Sequence, residues 1–330
     1  MSYRTFRGFA SFRKLKPVLL GSALALMAGS ALATPLAIGN TFIEAGVSDY
    51  GTLGSDHSTP PGILYDPAGT GTFGTNDFLT PGDPFELFAI QYSRGGTDFS
   101  SGSSNDAAPV DFGASWTLTQ VSATAASASG TLVNGADAGN VSILNTYSLG
   151  TVGSVRAINI TTVITNNGTT PMTGVRFLRS LDPDPDNYPG GSAETSNQLV
   201  SPTQACASGQ STGETICILS NDGNYATKSA GISSTISWPL TPDTFLTNSA
   251  GVTSNSIDAS IGLYVLIGDI APGASKTVTY SYVFGPTAAS TIITTAPAAP
   301  VPVGGALWGT LLALGLAASG ALSWRRKARA

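Results

Sequence analysis

Lys276–Phe284 reads "KTVTYSYVF". Val278, Tyr280, Tyr282 and Phe284 fall on one side of an extended chain, and Thr277, Thr279 and Ser281 on the other. Alternation with period two predicts a half-buried antiparallel strand. Arg156–Ile164 repeats the pattern with Ile158, Ile160 and Ile164. Weaker alternation predicts strands at 41–47, 85–92, 115–121, 141–147, 175–179, 234–238 and 261–267. No stretch between the two ends carries a convincing helical stripe. The pattern predicts an all-β body, an antiparallel β-sandwich that buries the inward faces of two sheets.

The ends break this pattern. Arg4, Arg7, Arg13, Lys14 and Lys16 precede an apolar run, Pro17–Gly29, and Ala31-Leu32-Ala33 supplies the small residues of a cleavage site. This order predicts a signal peptide over 1–33. At the other end, the Pro/Ala/Gly linker 291–305 leads into Ala306–Trp324, 19 residues without a charge. As a helix that run would cover about 28 Å, close to one hydrocarbon core. Trp308 and Trp324 stand near its ends, and the basic tail 325–330 follows. A single transmembrane helix is therefore expected over 306–324, with the tail cytoplasmic. The body spans 34–290, as one domain or as two subdomains that break near 122–139. These ends predict an exported protein, anchored in the inner membrane and then located at the cell surface or in the extracellular matrix.

The C-terminal segment resembles the PEP-CTERM sorting signal of Gram-negative bacteria in Val301, Pro302, Trp308, the apolar run 311–322 and the pair Arg325-Arg326. The resemblance implies an exosortase-type processing enzyme as partner, in a producer of exopolysaccharide or biofilm matrix. Inside the body, "TNNGTTPMTGVRF" (165–177) and "IAPGASKTVTY" (270–280) resemble the turns of Ig-like modules in bacterial surface proteins. That resemblance implies scaffolding, adhesion or carbohydrate contact.

Charge then narrows the function. The whole chain is −5, but the body holds only six cations against all twenty acids, a net of −14. Phosphate binding needs clustered Lys and Arg, so nucleic acid is excluded as a partner. Cys206 and Cys217 are the only cysteines, and in an exported chain they predict a disulfide. His57, in the turn-like "LGSDHSTPPG", is the only histidine, which leaves neither a Ser-His-Asp site nor a zinc site with adequate ligands.

"SLDPDPDNYPGGSAETSN" (180–197) carries the most unusual chemistry. Prolines 183 and 185 force the residues before them to be extended, so Asp182, Asp184 and Asp186 share a side. Glu194 can approach across a turn. These four residues are the candidate metal ligands, and an all-oxygen set points to calcium. The loop is not an EF-hand, because Asn187 and Ala193 occupy its sixth and twelfth places. Asp222, in "SNDGNY", belongs first to a turn. For glycoside chemistry Glu86, Asp111 and the acidic loop are available, with Trp116, Trp238, Tyr188 and Tyr225 for stacking, but spacing selects no carboxylate pair.

The resulting expectation is a non-enzymatic cell-surface or biofilm-matrix protein. Calcium would stiffen it, and exopolysaccharide or other matrix proteins would be its partners. The competing expectation is a carbohydrate-active enzyme or glycan-binding module on the same β scaffold.

Overall fold

The computed structural model describes residues 35–55, 59–74, 77–79, 86–105, 111–112, 116–186, 191–220, 222–234 and 239–293. Among them the chain builds three sheets, and every ladder between strands is antiparallel. A small sheet holds β1 (Leu36–Gly39), β2 (Ile43–Val47) and β3 (Ile63–Tyr65). A five-stranded sheet has the order β14 (Lys228–Ser233), β16 (Ser260–Ile270), β10 (Met172–Leu181), β4 (Glu86–Arg94), β5 (Thr97–Ser104). A nine-stranded sheet begins with β15 (Ser254–Ile257), β11 (Thr195–Ser201), β12 (Gln204–Gly209) and β13 (Thr215–Ser220). It continues through β17 (Ser275–Gly285), β9 (Val155–Asn166), β8 (Val141–Val152), β7 (Ala125–Thr131) and β6 (Thr117–Ser122).

The alternating residues do what their period requires. Val278, Tyr280, Tyr282 and Phe284 of β17 and Ile158, Ile160 and Ile164 of β9 are all buried in one core. That core lies between the two larger sheets, where the Phe177 ring of β10 sits 5.8 Å from Tyr280. The all-β, antiparallel expectation therefore holds. β10 over 177–181 and β4 over 86–90 instead bury every residue, where α1 (Pro242–Ser249) covers their outer face. Its Phe245 packs with Leu87, Ala89, Leu178 and Leu240. Gly262 makes room for this, since a Cβ there would stand 2.6 Å from the Phe245 ring. Thr241 caps the helix and Pro242 opens it, which is the expected chemistry of a helix start.

The stretch 122–139 contains β7 and its turn to β8. The bulky alternation vanishes there because Trp116 lies over the hairpin: a Cβ on Gly130 would meet its indole at 2.7 Å. The turns at 165–171 and 270–274 each carry the chain between the two larger sheets. They also hold each other, Gly273 N–H donating to Asn166 O at 2.8 Å and Asn166 N–H to Ala274 O at 3.0 Å. These landmarks thus close one large sandwich of nine- and five-stranded sheets rather than a small repeated module.

The membrane-anchored architecture is corrected. Among the described residues no helix is long and apolar enough to cross a membrane. α1 has eight residues and α2 (Ala288–Thr291) four, about 12 Å and 6 Å against ~30 Å of hydrocarbon. The expected signal peptide 1–33 and the span 306–324, with Val301, Pro302, Trp308, Arg325 and Arg326, lie outside the described residues. Anchoring through a C-terminal helix, and the surface or matrix location drawn from it, have no support in the structure.

Candidate functional site

The acidic loop begins where β10 ends. The chain stays extended through Asp182, Pro183 and Asp184 and then turns at Pro185-Asp186. Asp182 and Asp184 therefore remain on one side, 2% and 4% exposed. The Asp184 N–H donates to Phe78 O at 3.0 Å. The turn carries Asp186 elsewhere. Its carboxylate accepts from Ser211 N at 2.6 Å and from Thr212 N and Oγ1 at 3.3 and 2.6 Å. It thus ties down the β12–β13 turn.

The third carboxylate comes from Asp258, a residue the sequence pattern did not select. β15 pairs with β11 through Thr195↔Ile257, and β16 pairs with β10 through Leu181↔Ile261. The residues between, Asp258 and Ala259, carry the chain from one sheet to the other past the end of β10. That crossover brings carboxylate oxygens of Asp182, Asp184 and Asp258 within 4.8 Å of one another. Among the described residues these three could hold a metal ion. Asp258 Oδ1 is buried and takes no hydrogen bond there. Burial pushes the Asp258 carboxyl above the ordinary carboxylate range, a hydrogen bond with Asp182 pulls it back, and Glu194 pushes it up again. Glu194 precedes the Thr195↔Ile257 rung by one residue. It is exposed and acts on the cluster through its charge.

The other sequence candidates have structural work. Glu86 is fully buried and paired with Arg179, also fully buried, across β4 and β10. It accepts further bonds from Leu53 N at 2.8 Å, Arg179 Nη2 at 2.7 Å and Tyr282 OH at 2.8 Å. Arg179 Nη2 also donates to Tyr147 OH at 3.1 Å. Burial pushes the Glu86 carboxyl up against the pull of Arg179, and that carboxylate in turn holds the Arg179 guanidinium protonated. No substrate reaches this pair, so it is a core ion pair. Trp116 packs on Phe88 and Phe112 in the core. Asp111 accepts from Gly102 N at 3.1 Å. Asp222 holds the N–H groups of Asn224 and Thr279 at 2.6 and 3.0 Å, the work of a turn residue. Tyr225 OH donates to Thr277 O at 2.8 Å. His57, Tyr188 and Trp238 lie outside the described residues.

Cys206 and Cys217 form the disulfide. They are direct cross-strand partners on β12 and β13, buried on the outer face of the nine-stranded sheet under Ile292 and Ile293. They do not pin a surface loop.

A cavity of about 250 Å³ opens at the same end of the sandwich, lined among others by Phe42, Tyr65, Ser154, Arg156 and Phe284. Phe78 joins the two places: its carbonyl holds Asp184, and its ring meets Phe284 at 5.7 Å.

No family model matches the chain, and no curated protein matches it. Among solved structures, a bacterial glucoamylase complexed with acarbose is similar at 10% identity and a TM-score of 0.46. That match covers 78% of this chain, which spans only 34% of the glucoamylase. A galactose mutarotase-like protein from Lactobacillus casei ATCC 334 is similar at 11% identity and a TM-score of 0.39, over 76% of this chain and 99% of its own. An aldose epimerase homologue from C. elegans is similar at 10% identity and a TM-score of 0.42, over 76% and 98%. At these values no residue, substrate or mechanism passes to this chain.

Four expectations are corrected nonetheless. A sandwich of nine- and five-stranded sheets is not a small Ig-like module, and no match supports the sorting-signal resemblance. A non-enzymatic surface or matrix protein was inferred from those two resemblances and goes with them. The lean against an enzyme rested on the lack of carboxylates brought together by spacing, and the fold brings those of Asp182, Asp184 and Asp258 together.

Proposed function

We propose that this chain is a carbohydrate-active β-sandwich protein whose working centre is the end of the sandwich that carries Asp182, Asp184 and Asp258, with a calcium-type cation held by those carboxylates. One observation carries the reading: three carboxylates from two distant segments converge within 4.8 Å. At about 4 Å and an effective dielectric of 20, each pair of ionised carboxylates repels by roughly 4 kcal/mol. Such a group takes up a proton or a cation. The donors are all oxygen and hard, which suits calcium. Three carboxylates supply three or more of its six to eight ligands, and water and carbonyls supply the rest.

Calorimetric titration of calcium into the full chain is the test. Saturable binding is expected, and Asp258→Asn and Asp182→Asn each lose it. Affinity falls as the pH drops through the raised Asp258 pKa, above the usual carboxylate range, because the proton and the cation compete. Neither heat nor a rise in melting temperature at roughly 10 mM calcium, beyond the range of weak extracellular sites, ends this reading.

A second reading has its own observation, the Asp258 carboxyl raised by burial with the Asp182 carboxylate within 4.8 Å of it. A buried, raised carboxyl beside a second carboxylate is an arrangement from which an acid and its partner are built. With oxygens within 4.8 Å of each other they stand too close for the roughly 6.5–9.5 Å of inversion. Sugar release that persists in a chelator and vanishes in Asp258→Asn would favour this reading over the cation.

A further inference from the structure

We infer that the cavity beside Arg156 is a subsite for a single uronate, a sugar ring that bears a carboxylate. The inference rests on the carbohydrate reading above and adds the substrate class.

Arg156 is the exception among the four arginines of the body. Arg94 holds Asp137 at 3.0 Å, Arg176 holds Asp243 at 3.3 Å, and Arg179 holds Glu86. Arg156 has no ion pair or hydrogen bond among the described residues, in a body with more than three acids for each cation. Its guanidinium lies 3.5 Å from the centroid of the Phe42 ring. The ring face attracts the cation and holds it at the cavity, and its N–H groups take no hydrogen bond among the described residues. Those groups form the fork that a carboxylate fits in two parallel bonds.

The rest of the cavity suits a sugar. Its volume, about 250 Å³, falls below the ~300–1,000 Å³ of drug-sized pockets, so it admits one ring and not a chain. Tyr65 stacks on Phe284 at 5.8 Å, and both rings line the cavity. Ser154 adds a hydroxyl at the wall. Asp66 follows Tyr65 in sequence, but its carboxylate is taken by Ala68 N, Thr70 N, Thr70 Oγ1 and Gly71 N at 2.7–3.0 Å. Glu214 and Asp66 also act on the Tyr65 hydroxyl by charge, and Arg156 opposes them.

The experiment is calorimetric titration of the full chain with D-glucuronate, D-glucuronamide and D-glucose. Glucuronate is expected to bind at least about tenfold more tightly than the amide, which keeps the shape and loses the charge. Arg156→Gln is expected to erase that preference at an unchanged melting temperature. Methyl glucuronide separates the sources: binding equal to the free acid marks a chain end as the ligand, and loss of binding marks the free sugar. Three results overturn the inference: no binding of glucuronate, equal binding of acid and amide, or an undiminished preference in Arg156→Gln. Equal binding of all three sugars defeats the uronate inference and leaves the carbohydrate reading in place. The comparison of acid with amide uses the unaltered protein, so a folding defect in the variant does not blunt it.

Discussion

Asp182 and Asp186 belong to the same five-residue run, yet they do different work. One faces Asp258 and the other fastens a turn of β12–β13. The difference is a single turn at Pro185-Asp186, which ends the extended run. The prolines make the first two aspartates legible as a pair, but nothing local says where the run stops. Glu86 shows the same limit. Its strand was legible, and its role was not, because Arg179 lies 93 residues away. Removing one partner of such a pair leaves the other charged and buried. Glu86→Gln is therefore expected to cost about 3–5 kcal/mol, measured by urea unfolding. A loss below about 1 kcal/mol would show that Tyr147 and the new amide suffice for Arg179.

At the level of elements, β17 and β9 were legible because one face of each meets a core and the other does not. β7 was not, since its buried positions are Ala126, Ala128 and Gly130, small residues chosen to fit under Trp116. Apolar bulk is the signal of alternation, and a strand packed beneath a large ring must give it up. The β12–β13 hairpin alternates faces cleanly, with Ala205, Ala207, Ile216 and Ile218 in the main core and Cys206 and Cys217 on the other side. The disulfide closes a short loop between adjacent strands. Replacing both cysteines with serine should lower stability by up to about 3 kcal/mol on the chain-entropy estimate. If reduction leaves the urea midpoint unchanged, the strand ladder alone holds the hairpin.

For the whole molecule, one apolar core draws on all three sheets, from Ile38 through Phe177 to Ile164. Ile90 and Tyr280 on the facing sheets belong to the same cluster. A continuous core predicts cooperative unfolding. Near-ultraviolet signal from the aromatic rings and far-ultraviolet signal from the strands should vanish at one temperature. Two separated transitions would show that the hairpins β6–β8 melt as a unit of their own. The functional geometry also belongs to this scale. The acidic cluster and the Arg156 cavity share an end of the sandwich because the β15–β16 crossover and the β8–β9 hairpin both lie there.

Local pattern alone was enough to read the all-β class and most of the central strands. The cysteine count was enough to read the pairing of the only two cysteines. These follow from simple rules: side chains alternate every two residues, and two cysteines have one partner each. Only the tertiary structure decided that Asp258 joins Asp182 and Asp184, that Asp186 leaves them, and that Glu86 belongs to the core. Only it showed Arg156 beside a cavity without a carboxylate partner among the described residues. The physical reason is that these relations join residues tens to more than a hundred positions apart, through strand order and crossovers that no local pattern encodes.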